Sequence, residues 1–250
     1  IIAGDQETYA LLHKAKTKYS AKFAWVVPWI GDWHLLEHTL DVIFRKWGGF
    51  AVIPLAKAGD CHDKKLESKN YHKRHNVFVG VLEAVWKACI SEHQGRSVSD
   101  EELLNKLLAY TTDRNKHKTH GQWVELLLAD GMAYLALYIG IRTGDFALRE
   151  AAVRRIGPLF LGYNKNKYHA LCIQHLADIA QMNDVELEFI RETFSLSLSG
   201  TPGKNTGLDE IQEMTMNKEF KQAATGTDIV YLQRLGLTLQ LFARCAEDFK

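Results

Sequence analysis

The sequence predicts a mostly α-helical protein with one small parallel β element. Two apolar segments each run into a Gly-Asp pair: residues 1–3 before Gly4-Asp5, and "FAWVVPWI" before Gly31-Asp32. A single stretch with helical periodicity lies between them, and from Trp33 onward helical periodicity takes over most of the chain.

The β element comes first. Residues 1–3 read as the end of a buried strand because a Gly-Asp turn follows them at once. Residues 7–20 read as a helix, with Tyr9, Leu12, Ala15 and Tyr19 recurring every three or four positions. The β-branched and aromatic run 23–27, "FAWVV", reads as a second strand that Pro28 closes. Strand, helix and strand within about thirty residues make a βαβ unit, whose two strands are parallel and joined by a right-handed crossover. Asp5 and Asp32 then fall at the carboxyl ends of adjacent strands, where ligands gather in open α/β sheets.

The helical part follows. Trp33, Leu36, Leu40, Ile43, Phe44 and Trp47 form one apolar stripe, with His34, Glu37, His38, Asp41 and Arg45 opposite. Further helices are expected near 76–92, 100–110, 122–141, 145–157, 167–181 and 184–193. Residues 194–207, "FSLSLSGTPGKNTG", hold a short strand and then a loop. Asp209, with Gln212 three residues on, reads as the N-cap of a helix running through Lys221, and a last amphipathic helix covers 229–248.

With 250 residues, 46% hydrophobic and 24% charged, the chain can build a real core. A net charge of +1 argues neither for nor against nucleic acid as a partner of the whole chain. Local charge is less even. Residues 64–75 carry five Lys/Arg against one Glu, and 113–120 carry three against one Asp. A solvated face explains either segment taken alone. Cys61, Cys89, Cys172 and Cys245 stand far apart without a C-x-x-C pair, which predicts free thiols in a reducing compartment. The apolar run 124–141 is interrupted by Glu125 and Asp130 and reads as a buried helix rather than a membrane span. A chain that opens on an apolar run without Met is expected to be a fragment of something longer.

Three patterns bear on chemistry. Glu210, Glu213, Asn217 and Lys221 are spaced by 3, 4 and 4 and share one helix face, which solvent alone would explain. Set beside the strand-end aspartates, the same face supplies hard oxygen donors suited to Mg²⁺ or Mn²⁺. Second, His34-Leu35-Leu36-Glu37-His38 matches H-x-x-E-H, a zinc-protease pattern, but no third-ligand segment accompanies it. Third, Trp25, Trp29 and Trp33 flank the Gly31-Asp32 turn and are expected to be core and rim packing.

Six segments occur in the order "GDQETY", "PWIGDWHLLEH", "FVGVLEAVWKA", "YLALYIGIRTGDFALRE", "PLFLGYNKNKYHAL" and "LDEIQEMTMNKEFK". Together they resemble a transposon-derived domain family of unknown function, related to DDE transposases. The resemblance implies a partial ribonuclease H-like core interrupted by a large helical insertion: core at 1–33, insertion at 34–193, return to the core at 194–250. It implies DNA cutting and joining with Mg²⁺ or Mn²⁺ by a nuclear protein, or a domesticated descendant that keeps DNA or partner contacts without cleavage. Oligomeric state stays open, and no membrane is implied. By the resemblance Asp5 is the second catalytic Asp and Glu213 the catalytic Glu. Asp32 is a third metal ligand or an acid behind the ligands, and the first Asp lies upstream. His34, Asn217 and Lys221 orient phosphate or water, and Lys64, Lys65, Lys73 and Arg74 contact DNA.

Overall fold

The computed structural model describes residues 1–59, 61, 70–93, 99, 101, 102, 105 and 118–217. Helices account for 78% of them, and the sheets are small, as the sequence predicts. Strand β1 (Ile2–Gly4) leads into α1 (Gln6–Lys18) and the one-turn α2 (Ser20–Phe23), and β2 (Pro28–Ile30) follows. The two strands pair in parallel, Ile2 opposite Pro28, Ala3 opposite Trp29 and Gly4 opposite Ile30.

The second strand is therefore not 23–27. Residues 23–30 are apolar throughout, so no alternation marks a register. Burial on both faces selects the strand instead: Pro28, Trp29 and Ile30 are all buried, while Trp25 is 72% exposed. Pro28 opens the strand rather than closing it, a place where its missing N–H costs no ladder bond. Of the three tryptophans at the turn, Trp29 is core, Trp33 is half-buried and Trp25 points to solvent.

Helix α3 (Asp32–Trp47) leaves β2 through Gly31 and unwinds into a wider π turn at Gly48–Val52 before α4 (Ile53–Ala58). Then come α5 (Tyr71–His93) and α6 (Lys118–Val124), which passes through a second π segment (Glu125–Gly131) into α7 (Met132–Thr143). Residues 121–143 are, by length and composition, apolar enough to cross a membrane. Here Leu126, Tyr134, Leu137 and Ile141 join the main core, and Asp130 takes hydrogen bonds from Lys46 and Trp47 at 2.7 Å each. Helix α7 ends on Gly144, whose φ of 73° is the left-handed cap that glycine adopts without strain.

Helix α8 (Phe146–Gly162) begins at the Asp145 N-cap and, contrary to the predicted end at 157, continues through Pro158. Helix α9 (Asn166–Gln181) and α10 (Asp184–Thr193) follow, the latter opened by a full capping box between Asn183 and Glu186. A two-residue antiparallel ladder, β3 (Ser195–Leu196) with β4 (Thr206–Gly207), leads into α11 (Leu208–Gln212) and a π turn at Glu213–Asn217. Of the expected helix at 100–110 only residues 101, 102 and 105 are described, and they are helical; the helix at 229–248 and the continuation to Lys221 lie outside the described residues.

The main core is built by α3, α5, α7 and α8, with Leu35, Phe78, Tyr134, Val153 and Phe160 fully buried. A smaller apolar cluster, Ala3, Trp29, Ile190 and Phe194, seals the other side of the β pair. Helix α9 packs against both α1 and β2, so the strands are held between helices. That sandwich fixes the two strand ends from which the candidate site is built.

Candidate functional site at the strand ends

Gly4 ends β1 and Gly31 follows β2, and Gly31 N–H donates to the Gly4 carbonyl at 2.7 Å. Asp5 follows β1 directly and caps α1, its Oδ1 accepting from Thr8 N–H at 2.8 Å. Partial burial pushes the Asp5 pKa up. The Thr8 hydrogen bonds and the nearby His34 outweigh that and hold it below the ordinary carboxylate value. Asp5 is therefore an ionised, half-buried carboxylate at neutral pH.

Asp32 follows β2 but has a different setting. It is 1% exposed, and its Oδ1 accepts two bonds from Arg149 of α8, from Nε at 2.9 Å and from Nη2 at 2.6 Å. Trp29 Nε1 reaches Oδ2 at 3.4 Å. Burial lifts the Asp32 pKa to about 6, with Arg149 opposing and the Asp209 carboxylate adding to the rise. Arg149 is itself fully buried, stacks over the Trp29 ring at 4.4 Å and also pairs with Glu150. His175 Nε2 completes the cluster, 2.7 Å from Arg149 Nη1 and 2.9 Å from Glu150 Oε1. Of the two expected ligands at the strand ends, then, Asp32 is closed off by a cation and an indole while Asp5 is not.

The acid brought to the strand ends from the late helix is Asp209. The sequence reading makes it the N-cap of its own helix, but α11 starts at Leu208 with Gly207 as N-cap. The Asp209 carboxylate instead caps α3. Oδ1 accepts from Trp33 N–H at 3.1 Å, and Oδ2 accepts from His34 N–H at 3.1 Å and the His34 ring Nδ1 at 3.0 Å. The residue at the N-cap position of α3 is Gly31, which has no side chain to offer. A Cβ on Gly31 would lie 2.9 Å from Asp209 Cγ and 2.7 Å from the Gly4 carbonyl oxygen. Glycine at 31 thus leaves the space in which a remote carboxylate does what Ser or Asp at that position ordinarily does. Gly207 plays a similar part, since a Cβ there would stand 2.9 Å from Asp32 Cβ.

His34 gains most from this arrangement. Burial disfavours its charge, but Asp209, with Asp5 and Glu37 further off, outweighs burial and raises the pKa above the ordinary histidine value. The structure thus assembles Asp5, His34 and Asp209, with Asp32 and Arg149 directly behind. Among the described residues no three His, Cys, Asp or Glu side chains are gathered into a ready metal cage.

Glu213 lies on the π turn that follows α11, half-buried, and α11 packs against β1 and α3. Asn217 ends the same turn, and Lys221, Lys64 and Lys65 lie outside the described residues. Glu210 is turned toward Arg142, whose Nη2 lies 3.3 Å from Oε1. The helix face read as Glu210, Glu213 and Asn217 is thereby divided, because a π turn shifts the spacing after Gln212.

The remaining predicted contacts divide too. Lys73 is exposed, but Arg74 is folded inward, 3.5 Å from Asp41 and 4.3 Å above the Phe44 ring. In the H-x-x-E-H segment the two histidines have different partners. His34 binds Asp209, whereas His38 Nδ1 accepts from Lys165 at 2.8 Å and packs on Tyr168. His38 is thus not the solvated histidine that its polar helix face suggests; burial and the Lys165 ammonium lower its pKa to about 4.

No family model, curated protein or solved structure matches this chain.

Asp209 and Arg149 are members of the site that the sequence does not mark as such. Arg149 carried a weak signal, as a charged residue on an otherwise core-facing helix stripe with Val153, Ile156 and Phe160. Asp209 carried a misleading one, since its spacing to Gln212 imitates a local cap.

Proposed function

We propose that the chain carries part of a ribonuclease H-like, DDE-type core for Mg²⁺-dependent cleavage and transfer of DNA strands, with residues 34–193 as its helical insertion. The observation that supports this reading is the meeting of Asp5, at the end of one of two parallel strands, with the His34–Asp209 pair delivered by α11. In this reading Asp5 and Glu213 hold the ion. The donors suit Mg²⁺, which keeps most of its waters and is commonly held by one or two carboxylates together with substrate phosphates, so it needs no closed protein cage. When bound, the ion activates water and stabilises the leaving oxygen.

The chain's own residues do the rest. Asp5 stays ionised because Thr8 and His34 favour its charged form. Asp209 fixes the His34 ring through Nδ1, which leaves Nε2 to carry or accept a proton beside the phosphate. Asp32 becomes a positioning residue: locked by Arg149, it anchors the start of α3 and does not bind metal.

The test is nicking of supercoiled DNA with Mg²⁺ by the protein. Glu213→Gln and Asp5→Asn are expected to lower the rate at least about a hundredfold, as loss of a group in the reacting site does. Undiminished nicking in either variant would remove this site. A second reading is a module that keeps the fold and binds DNA without cutting it. The Asp32–Arg149 pair favours it, because a carboxylate neutralised by a buried guanidinium is lost to metal binding. Absence of nicking in the wild-type protein, with DNA binding intact, selects that reading.

A further inference from the structure

A groove of about 750 Å³ runs between α1 and α9, beginning at Gln6, one residue beyond Asp5. Its α1 wall presents Gln6, Ala10, His13, Lys14, Thr17 and Lys18, which recur at helical spacing and so face the same way. Lys167 and Gln174 of α9 stand on the other wall. The floor is apolar, with Leu171 buried and Tyr9 buried beneath it.

The charge of this groove is one-sided. Lys14, Lys18 and Lys167 are exposed, no acid lines the groove, and none of the three lysines has an acidic partner among the described residues. Asp178 borders the groove and spends both oxygens on residues that line it. Oδ2 accepts from the Tyr9 hydroxyl at 2.6 Å and lies 2.9 Å from His13 Nε2, and Oδ1 accepts from Gln174 at 2.8 Å. Two other lysines of the fold are spent on carboxylates, Lys46 on Glu125 and Asp130 and Lys165 on Asp41, and Lys16 donates to the Val26 carbonyl. A groove that keeps three lysines clear of carboxylates is built for a polyanion. Past Lys18 the chain exposes two aromatic rings, Tyr19 at 50% and Trp25 at 72%.

We infer that the α1–α9 groove is a track for single-stranded nucleic acid, with its phosphates on Lys14, Lys18 and Lys167 and its bases turned toward Tyr19 and Trp25. Two observations favour this occupant over others. Lys14 and Lys18 are one helical turn apart, a rise of about 6 Å, so they meet successive charges of a linear chain rather than one compact anion. A cationic groove whose last lysine, Lys18, stands 5.3 Å from the exposed Tyr19 ring has the charge and the stacking face that bind single strands without sequence preference. A flat lipid surface would use a convex face, and this one is concave. The track leads to Asp5, so it depends on the proposed function only for what happens at its end.

The test is fluorescence anisotropy of a labelled oligo(dT) against the full chain over a range of salt concentrations. The triple variant Lys14→Glu/Lys18→Glu/Lys167→Glu is expected to lose at least about tenfold in affinity at 0.1 M salt. The slope of log K against log salt should flatten by about 2, three contacts at about 0.7 each. The triple Lys→Arg variant should bind like wild type. All three side chains are exposed, so melting should not change; if the Glu variant fails to fold, the milder Lys→Gln triple variant gives the same reading. Unchanged oligo(dT) binding overturns the track, as does a loss confined to duplex DNA or to anionic phospholipid vesicles. Glu213→Gln should leave oligo(dT) binding intact. Loss of nicking with binding retained therefore concerns the catalytic reading, and loss of lysine dependence with nicking retained concerns only the groove.

Discussion

Arg149 shows at the scale of one residue how much a single side chain can hold. It is fully buried, and its guanidinium serves Asp32, Glu150 and His175 while stacking on Trp29. Its charge outweighs burial and holds the Glu150 pKa down at about 2. Arg149→Met keeps volume but leaves two carboxylates in the interior without a cation, a loss of about 3–5 kcal/mol in urea denaturation. Arg149→Lys should recover only part of it, because an ammonium cannot serve Asp32 and Glu150 from one rigid fork. A loss under about 1 kcal/mol for Arg149→Met would show that the cluster contributes little. Gly31 is the second such residue. Gly31→Ala pushes a methyl group against the Asp209 carboxylate and the Gly4 carbonyl, and overpacking of this kind costs about 1–3 kcal/mol. A Gly31→Ala protein as stable as wild type, measured the same way, would mean that the strand end yields more easily than its spacing suggests.

Helices α3 and α11 depend on each other at the scale of elements. The first turn of α3 has no side-chain cap of its own, and Asp209 supplies one from across the sheet. Asp209→Ala is expected to cost about 1–2 kcal/mol, the upper range for a lost cap, because it also releases the His34 ring. The same change should bring the His34 pKa, followed by NMR titration, down from its raised value. A pKa that stays put in the variant would show that Asp209 is not what raises it. Here the limits of the sequence are physical. The β1-to-α3 unit was legible because Gly-Asp after an apolar run reports a strand end whatever packs on it. The register of β2 was not, because a run that is apolar on every side carries no alternation. The helices of 132–193 were legible from their 3.6-residue stripes, and only the end of α8 was misplaced, since Pro158 reads as a stop. Asp5 and His34 could be named from the chain. Asp209 and Arg149 could not be given their partners, which lie 176 and 117 residues away.

The whole molecule answers to pH through groups buried in the wrong charge state for acid. His38 and His75 are held neutral, each by burial first and then by a cation, Lys165 for one and Arg142 for the other, with pKa values of about 4. The unfolded chain takes up both protons near pH 6.5, so between 6.5 and 4 it binds more protons than the fold and stability falls as pH falls. Asp32, raised to about 6, works the other way over part of that window, since the fold binds its proton first. The balance is a loss of stability, to which the buried His175, also held below the ordinary histidine value, adds; it steepens below about pH 4.5, where the unfolded chain protonates a Glu150 carboxylate that the fold holds down at about 2. His34 sets the opposite limit, contributing stability below 6.5 that is lost as pH rises through its raised pKa. Urea midpoints at about pH 7, 5.5 and 4 should therefore fall in that order. A midpoint that rises across the same range would contradict the neutral state of His38 and His75.

The cap that Asp209 places on α3 also ties the order of folding to the order of the chain. The amides of Trp33 and His34 find their acceptor only when residues made 175 positions later have docked. Until then the first turn of α3 is open to water, whatever the state of the core beneath it. Those two amide protons are in effect a clock for the arrival of α11. In pulse-labelled hydrogen exchange during refolding they should be protected together with the amides of 208–212, and later than those of α7 and α8, which pack most extensively on each other.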